Sequence, residues 1–253
     1  MVQEVRNRFV FVTPYFDCSD EIETTIFSML AQSFGDWRAI LIDDMSTDAG
    51  PLEVERLVQN LPKKHRDRFT LLRNEVKHGE VRNTLQALDM IDDDEVVCRL
   101  DGGDWLVEND LLKIVDASYN NPRVGVAWTA HRWGYTHQNI SGPMRLESGT
   151  TVYQHPWVSS HLKTFRAKHL RGVPARNFLD DAGSHIVIAC DQAIFLPMMH
   201  KCFTLDKTHD PHFIPAVGYH YNIDLTRPDL FTNDRSIRQK QSAEWIRKRG
   251  YVE

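Results

Sequence analysis

Along the first half of the chain, short unbroken hydrophobic runs alternate with stretches whose apolar residues fall at helical spacing. Phe9-Val10-Phe11-Val12-Thr13 is a run of β-forming residues stopped by Pro14, which predicts a strand buried on both faces. From Glu21 to Ser33, Ile22, Ile26, Met29 and Leu30 recur at helical spacing, with Ser19 or Asp20 as the expected N-cap. Trp37 to Ile42 is a second run. It ends in Asp43-Asp44, and Met45-Ser46-Thr47-Asp48 supplies turn chemistry before Pro51 opens another helix. Phe69-Thr70-Leu71-Leu72 predicts a third strand, followed by a polar loop from Asn74 to Gly79 and a helix marked by Leu85, Leu88 and Ile91. A fourth run, Val96 to Leu100, stops at Asp101-Gly102-Gly103-Asp104-Trp105. This alternation predicts an α/β fold built on a doubly wound, mostly parallel sheet with helices on both faces.

In such a sheet, ligands bind outside the carboxyl ends of the strands. Thr13-Pro14-Tyr15, Asp43-Asp44, Asp101 and Asp104 are therefore expected to line one crevice. Asp-Gly is also a hairpin dipeptide. The residues after it, however, place Leu111, Leu112, Val115 and Tyr119 at helical spacing, which leaves a hairpin without its second strand. Beyond Val124 to Trp128, which reads as a fifth strand, the periodicity breaks. Residues 131 to 185 are expected to form an irregular binding lobe, with a strand over Trp157 to Phe165, a short helix over Ala167 to Leu170 and a loop from Val173 to Ser184. Ile188 to His200 reads as a helix with Asp191 in its first turn, and Arg235 to Arg249 as a charged, solvated surface helix.

Composition narrows the class of protein. With 253 residues and 42% hydrophobic content the chain can bury a large core. A formal net charge of -5 gives no general reason to expect nucleic-acid or membrane-surface binding. Cys18, Cys98, Cys190 and Cys202 lack CxxC spacing, which favours a reducing compartment. No run is long enough for an integral membrane segment and Met1 to Arg6 lacks the apolar core of a signal peptide, so a soluble, cytoplasmic protein is expected.

Several of these pieces, in this order, resemble the family 2 glycosyltransferases of GT-A fold: FVFVTPY (Phe9 to Tyr15), SMLAQSF (Ser28 to Phe34), ILIDDMSTD (Ile40 to Asp48), Arg82-Asn83, LDGGDWL (Leu100 to Leu106) and Ala189 to Ala193. The family's metal motif is usually Asp-x-Asp-Asp, and Gly103 departs from it. The resemblance implies a single GT-A domain over 1–253, with 1–130 as the nucleotide-sugar-binding half and 131–253 as the acceptor-binding half with a C-terminal helix. It also implies a metal-dependent enzyme that moves a sugar from a nucleoside diphosphate donor, UDP-linked by preference, to a glycan or other hydroxyl acceptor with inversion.

Breaking the sugar-diphosphate bond leaves negative charge on the phosphates, which a divalent cation held by oxygen ligands, Mn²⁺ or Mg²⁺, stabilises. By the resemblance Asp104 and then Asp101 are the expected ligands, with His220 as a further candidate; Asp101 is alternatively a nucleotide contact or a turn cap. Asp44 is expected to read a pyrimidine N3-H between Thr13, Pro14 and Tyr15, with Asp43 beside it; loop capping is the alternative role for either aspartate. Arg82 is a donor to base or phosphate, or a solvated helix-face residue. Asp191 is the expected general base, although a helix-start aspartate is also an ordinary N-cap. Trp105, Trp157 and His161 are candidate acceptor contacts, with core packing as the alternative. Two other classes remain: an inert GT-A-like sugar- or protein-binding module, and a sugar nucleotidyltransferase. The latter lacks its glycine-rich basic loop here, because Thr13 to Asp17 holds neither glycine nor lysine.

Overall fold

The computed structural model describes residues 7–222 and 233–253. Its elements in chain order are β1 (Phe9–Tyr15), α1 (Ile22–Leu30), β2 (Trp37–Asp43), α2 (Gly50–Asn60), α3 (Lys63–Arg66), β3 (Phe69–Arg73), α4 (Glu80–Leu88), β4 (Val96–Arg99), β5 (Trp105–Leu106) and α5 (Leu111–Tyr119). They continue with β6 (Val126–Trp133), β7 (Lys163–Arg166), α6 (Ala167–Arg171), α7 (Cys190–His200), β8 (His212–Tyr221) and α8 (Asn233–Arg249). A 3₁₀ turn covers Ala175–Phe178, and a π-helical stretch, Lys201–Leu205, extends α7.

The eight strands form one sheet in the order β3-β2-β1-β4-β7-β6-β8-β5. β1 to β4 are mutually parallel, β7 runs antiparallel between β4 and β6, and β8 returns parallel to β6. The unbroken apolar runs follow from burial on both faces. Along β1, Val10 and Val12 enter one core with Ile40, Ile42, Val97 and the apolar side of α7, while Phe9 and Phe11 enter a second core with Ile22, Ile26, Leu41 and Val54. Successive side chains of a strand point to opposite faces, so a strand between two helix layers has no polar face to present.

In the second half, residues 134–162 form the expected irregular stretch without helix or strand, but the strands around it join the sheet. The sheet is continuous across residue 130, because β6, β7 and β8 belong to it. The expected strand from Trp157 contracts to Lys163–Arg166, and the loop Val173 to Ser184 contains the 3₁₀ turn. β8 escapes a pattern reading because its burial does not alternate cleanly and β-bulges interrupt its pairing with β6 near Ala130. The Asp101 to Trp105 segment is not a hairpin: β5 pairs antiparallel with β8, Trp105 opposite His220. Neither Ser19 nor Asp20 caps α1, whose N-cap position is Glu21; the Ser19 backbone N–H donates to Asp48 instead. The α8 helix is docked rather than merely solvated. Ile246 is buried, and Arg247 donates to Gln192 and to the carbonyls of Tyr153 and His155.

Candidate active site

The topology brings the carboxyl ends of β1, β2 and β4, the start of β7 and the end of β8 to one edge. Arg99, the last residue of β4, lies opposite Lys163, the first of β7. Both are almost fully buried, at 3% and 2% exposure. Arg99 Nη2 donates to Glu80 Oε1 at 2.6 Å and to Asp101 Oδ1 at 2.9 Å. Lys163 Nζ donates to Asp191 Oδ1 at 2.6 Å, and His161 Nε2 lies 3.9 Å from Asp191 Oδ2. Glu80, Asp101, Asp104 and Asp191 thus share one electrostatic neighbourhood with two buried cations.

The surplus of carboxylates shows in their proton affinities. Burial and repulsion from Asp101 push Glu80 up to about 7 despite Arg99. Burial likewise raises Asp101 against the pull of Arg99. Asp191 goes the other way: burial favours its neutral form, but Lys163, with His161 and Arg99, outweighs that and holds it down at about 2. Burial and the nearby Lys163 keep His161 neutral, well below an ordinary histidine. Its ring stacks on Tyr219 at 4.5 Å and on Tyr221 at 5.3 Å between centroids.

Asp104 is buried and its carboxylate is engaged on both oxygens. Tyr219 Oη donates to Oδ2 at 2.5 Å and the Asn222 N–H to Oδ1 at 2.8 Å. Burial, then Asp101, raise this carboxyl well above the usual range. The two glycines before it have different reasons. A Cβ on Gly102 would stand 2.2 Å from Tyr15 Cβ, so the loop can pass the end of β1 only without a side chain there. Gly103 has φ +94°, a conformation in which an aspartate would be strained.

His220, a candidate ligand, lies near the end of β8. It neighbours Tyr219 on the strand and so points to the opposite face from the Tyr219 hydroxyl that holds Asp104. The His220 ring stacks on Trp105 at 4.0 Å, which also covers one face of that tryptophan. Trp157 is half-buried, with Lys163 Nζ 6.0 Å from its ring centre; His161 borders Asp191 directly, whereas the ring contact of Trp105 is with His220.

At the other end of the crevice, Thr13 is fully buried with an unpartnered hydroxyl, Pro14 accepts the Gly102 N–H, and Tyr15 packs into the second core. Asp43 caps its turn, accepting the Ser46 N–H at 2.9 Å, and lies 3.2 Å from Arg73 Nε. Asp44 accepts from Asn74 Nδ2 (3.0 Å) and the N–H groups of His78 (2.8 Å) and Gly79 (2.9 Å). Burial would raise its pKa, but these bonds outweigh it and lower it. The capping is therefore at long range: Asp44 closes the loop before α4 and fixes Glu80, its first residue. Arg82 is exposed on α4; burial lowers the pKa of His185, and the charge of Arg82 lowers it further.

Glu80, Arg99, Lys163 and Tyr219 were not singled out by sequence reasoning. A signal existed for Arg99, a charge within the apolar run Val96 to Leu100 that has to be paired when buried. Lys163 and Tyr219 carried none, since their places depend on an antiparallel insertion and on an unrecognised strand.

The family profile described as Glycosyl transferase family 2 matches residues 10–176, and the chain belongs to that family. Its fold is that of GT-A glycosyltransferases. The crystal structure of S. aureus TarS is 16% identical with a TM-score of 0.62, covering 85% of this chain and 37% of that one. The S. aureus TarS 1-349 complex with UDP-GlcNAc is 15% identical with a TM-score of 0.61, covering 86% of this chain and 59% of that one. The mannosyltransferase PcManGT from Pyrobaculum calidifontis, in complex with GDP-Man and Mn²⁺, is 14% identical with a TM-score of 0.56, covering 88% of this chain and 59% of that one. The chain thus spans less than two thirds of these proteins. No curated protein matches it. Among the described residues no helix is long and apolar enough to cross a membrane.

Proposed function

We propose that the protein transfers a sugar from a nucleoside diphosphate donor, UDP-linked by preference, to a hydroxyl acceptor in one inverting displacement. The observation that carries this reading is the strand-end cluster, in which Asp101 and Asp191 are both partly exposed beside the buried cations Arg99 and Lys163. Family membership supports sugar transfer. Asp44, Thr13 and Tyr15 frame the base pocket, Asp43 buttresses it, and residues 1–130 carry most of the donor side. Asp191 accepts the acceptor proton. Its ion pair with Lys163 holds the carboxylate ionised and oriented, while Trp157 and His161 border the acceptor.

A divalent ion fits at Asp101, whose Oδ1 is held by Arg99 while none of the described residues is seen to engage Oδ2. Among the described residues, Glu80, Asp101 and Asp104 do not form a three-donor metal cluster. Mg²⁺-like sites commonly use one or two carboxylates completed by substrate phosphates and water. Asp101 would hold the ion, with Asp104 a second ligand only if it releases Asn222 or Tyr219. When bound, Mn²⁺ or Mg²⁺ would neutralise charge on the leaving diphosphate.

Thermal shift with UDP, GDP and ADP, each with Mn²⁺ or chelator, tests the donor reading. Ligand at about 100 times its dissociation constant adds about 2.7 kcal/mol, a rise of roughly 5 to 10 °C in Tm for a domain of this size. UDP with Mn²⁺ is expected to give the largest shift, and Asp101→Asn to remove its metal-dependent part. Equal shifts from all three nucleotides would refute the pyrimidine preference, and none from any would refute a nucleotide-sugar enzyme.

A further inference from the structure

At the sheet edge opposite the carboxylate cluster, three potential ligands converge from three separate segments. His169 lies on α6, Cys202 on the π-helical stretch after α7, and His209 in the loop leading to β8. The strand register places them at that edge. Arg166, three residues before His169, pairs with Val96 at the start of β4, and His212, three after His209, pairs with Ala127 near the start of β6. One nitrogen of each imidazole and the Cys202 Sγ all lie within 4.8 Å of one another, the one such group among the described residues.

Two independent features single out this cluster. His169 Nε2 is buried and has no hydrogen-bond partner among the described residues, an arrangement that leaves a polar atom unsatisfied. Gly125 makes room for the rings: a Cβ there would stand 2.5 Å from His169 Nε2 and 2.6 Å from His209 Cδ2. The His169 and His209 rings meet edge to face with centroids 4.4 Å apart. Thr208 Oγ1 is 2.8 Å from His209 Nδ1, which leaves Nε2 as the free ligand nitrogen, the outer-shell arrangement usual for a metal-bound imidazole.

We propose that His169, Cys202 and His209 form a zinc site, with water in the fourth position, that ties α6, the end of α7 and the approach to β8 together. The mixed nitrogen and sulfur donor set suits Zn²⁺ rather than the oxygen-seeking ion at Asp101. Tetrahedral coordination, with Zn–N of about 2.0–2.1 Å and Zn–S of about 2.3 Å, separates ligand atoms by about 3.3–3.7 Å, so small side-chain rotations close the set. On binding, the Cys202 thiol gives its proton to solvent and the thiolate lone pair forms the S–Zn bond, with no change of oxidation state. The surrounding cations are paired: Lys168 with Asp94 at 2.7 Å, Arg123 with Asp210 at 2.5 Å and Lys201 with Asp206 at 2.9 Å. Arg166 is directed to Asn7 and to the Asp94 carbonyl. A cleft bordered by Asp94, Arg166, Lys168 and His209 supplies a path from solvent.

The test uses the full chain stripped with chelator and titrated with Zn²⁺ against a chromogenic chelator, and separately with Co²⁺ as a spectroscopic probe. One ion per chain and a sulfur-to-cobalt charge-transfer band are expected. His209→Ala should weaken Zn²⁺ binding about 100-fold or more, since loss of a mere outer-shell partner already costs about 10–100-fold. Cys202→Ser should remove the charge-transfer band. His212→Ala, a neighbouring histidine outside the cluster, and Asp101→Asn, at the other edge, should bind zinc as wild type does. His209→Ala retains a half-exposed position, so it remains informative if Cys202→Ser fails to fold. Stoichiometric binding undiminished in His209→Ala, a cobalt spectrum without the sulfur band, or loss of the ion in Asp101→Asn would overturn the site.

Discussion

The pairing of Lys163 with Asp191 is open to a quantitative test. Lys163→Met keeps most of the side-chain volume and removes the ammonium 2.6 Å from Asp191 Oδ1. The depression of Asp191 from 3.8 to about 2 is the net of burial, which raises it, and of Lys163, His161 and Arg99, which lower it; it corresponds to about 2 kcal/mol at about 1.36 kcal/mol per unit and sets the scale of the pairing. The loss should fall below the 3–5 kcal/mol typical of breaking a fully buried pair, because the Asp191 side chain is 30% exposed and Arg99 remains nearby. A double-mutant cycle with Asp191→Asn isolates this coupling from the packing change. In urea it should appear as about 2 kcal/mol at pH 7, a midpoint difference of about 1 M for a slope of about 2 kcal/mol/M. The sign of the pH dependence follows from a folded-state pKa lower than the unfolded one. The stabilisation is complete above about pH 4 and is lost as pH falls through about 2, so about half should remain at pH 3. Single-variant losses that add at pH 7, or a coupling of the same size at pH 3, would refute an ion pair as the cause.

Glu80 behaves oppositely, because its folded pKa of about 7 exceeds the ordinary 4.5; its own contribution should fall by roughly 3 kcal/mol between pH 4.5 and 8, read as the pH-dependent difference between wild type and Glu80→Gln in urea titrations. Gly102→Ala places a methyl into Tyr15 and should destabilise by at least about 1–3 kcal/mol, seen as a lowered Tm. Gly103→Asp restores the usual family pattern but puts a side chain at φ +94°; about 1 kcal/mol of stability should be lost without a gain in Mn²⁺ response to UDP. Asp44→Ala frees the His78 and Gly79 N–H groups and should cost about 1–3 kcal/mol while loosening α4, read as faster amide exchange at residues 78–83.

The N-terminal α/β alternation was legible because each strand and helix there carries its own periodicity. A strand covered on both faces must be apolar throughout, and Phe9 to Thr13, Trp37 to Ile42 and Val96 to Leu100 say so without reference to anything distant. The strand-end rule then places Asp43, Asp44, Asp101 and Asp104 at one edge from connectivity alone. What each carboxylate touches was decided elsewhere. Asp44 is taken up by a loop about 30 residues on, Asp104 by Tyr219 and Asn222, and Asp101 shares Arg99 with Glu80. Lys163 reaches Asp191 only because β7 inserts antiparallel beside β4, and Tyr219 reaches Asp104 only because β8 returns to the same sheet. Local patterning encodes which residues form a strand and which face they bury. Pairing between segments that lie from 19 to 118 residues apart leaves no periodic trace, so the partners of the site's charges belong to the tertiary structure.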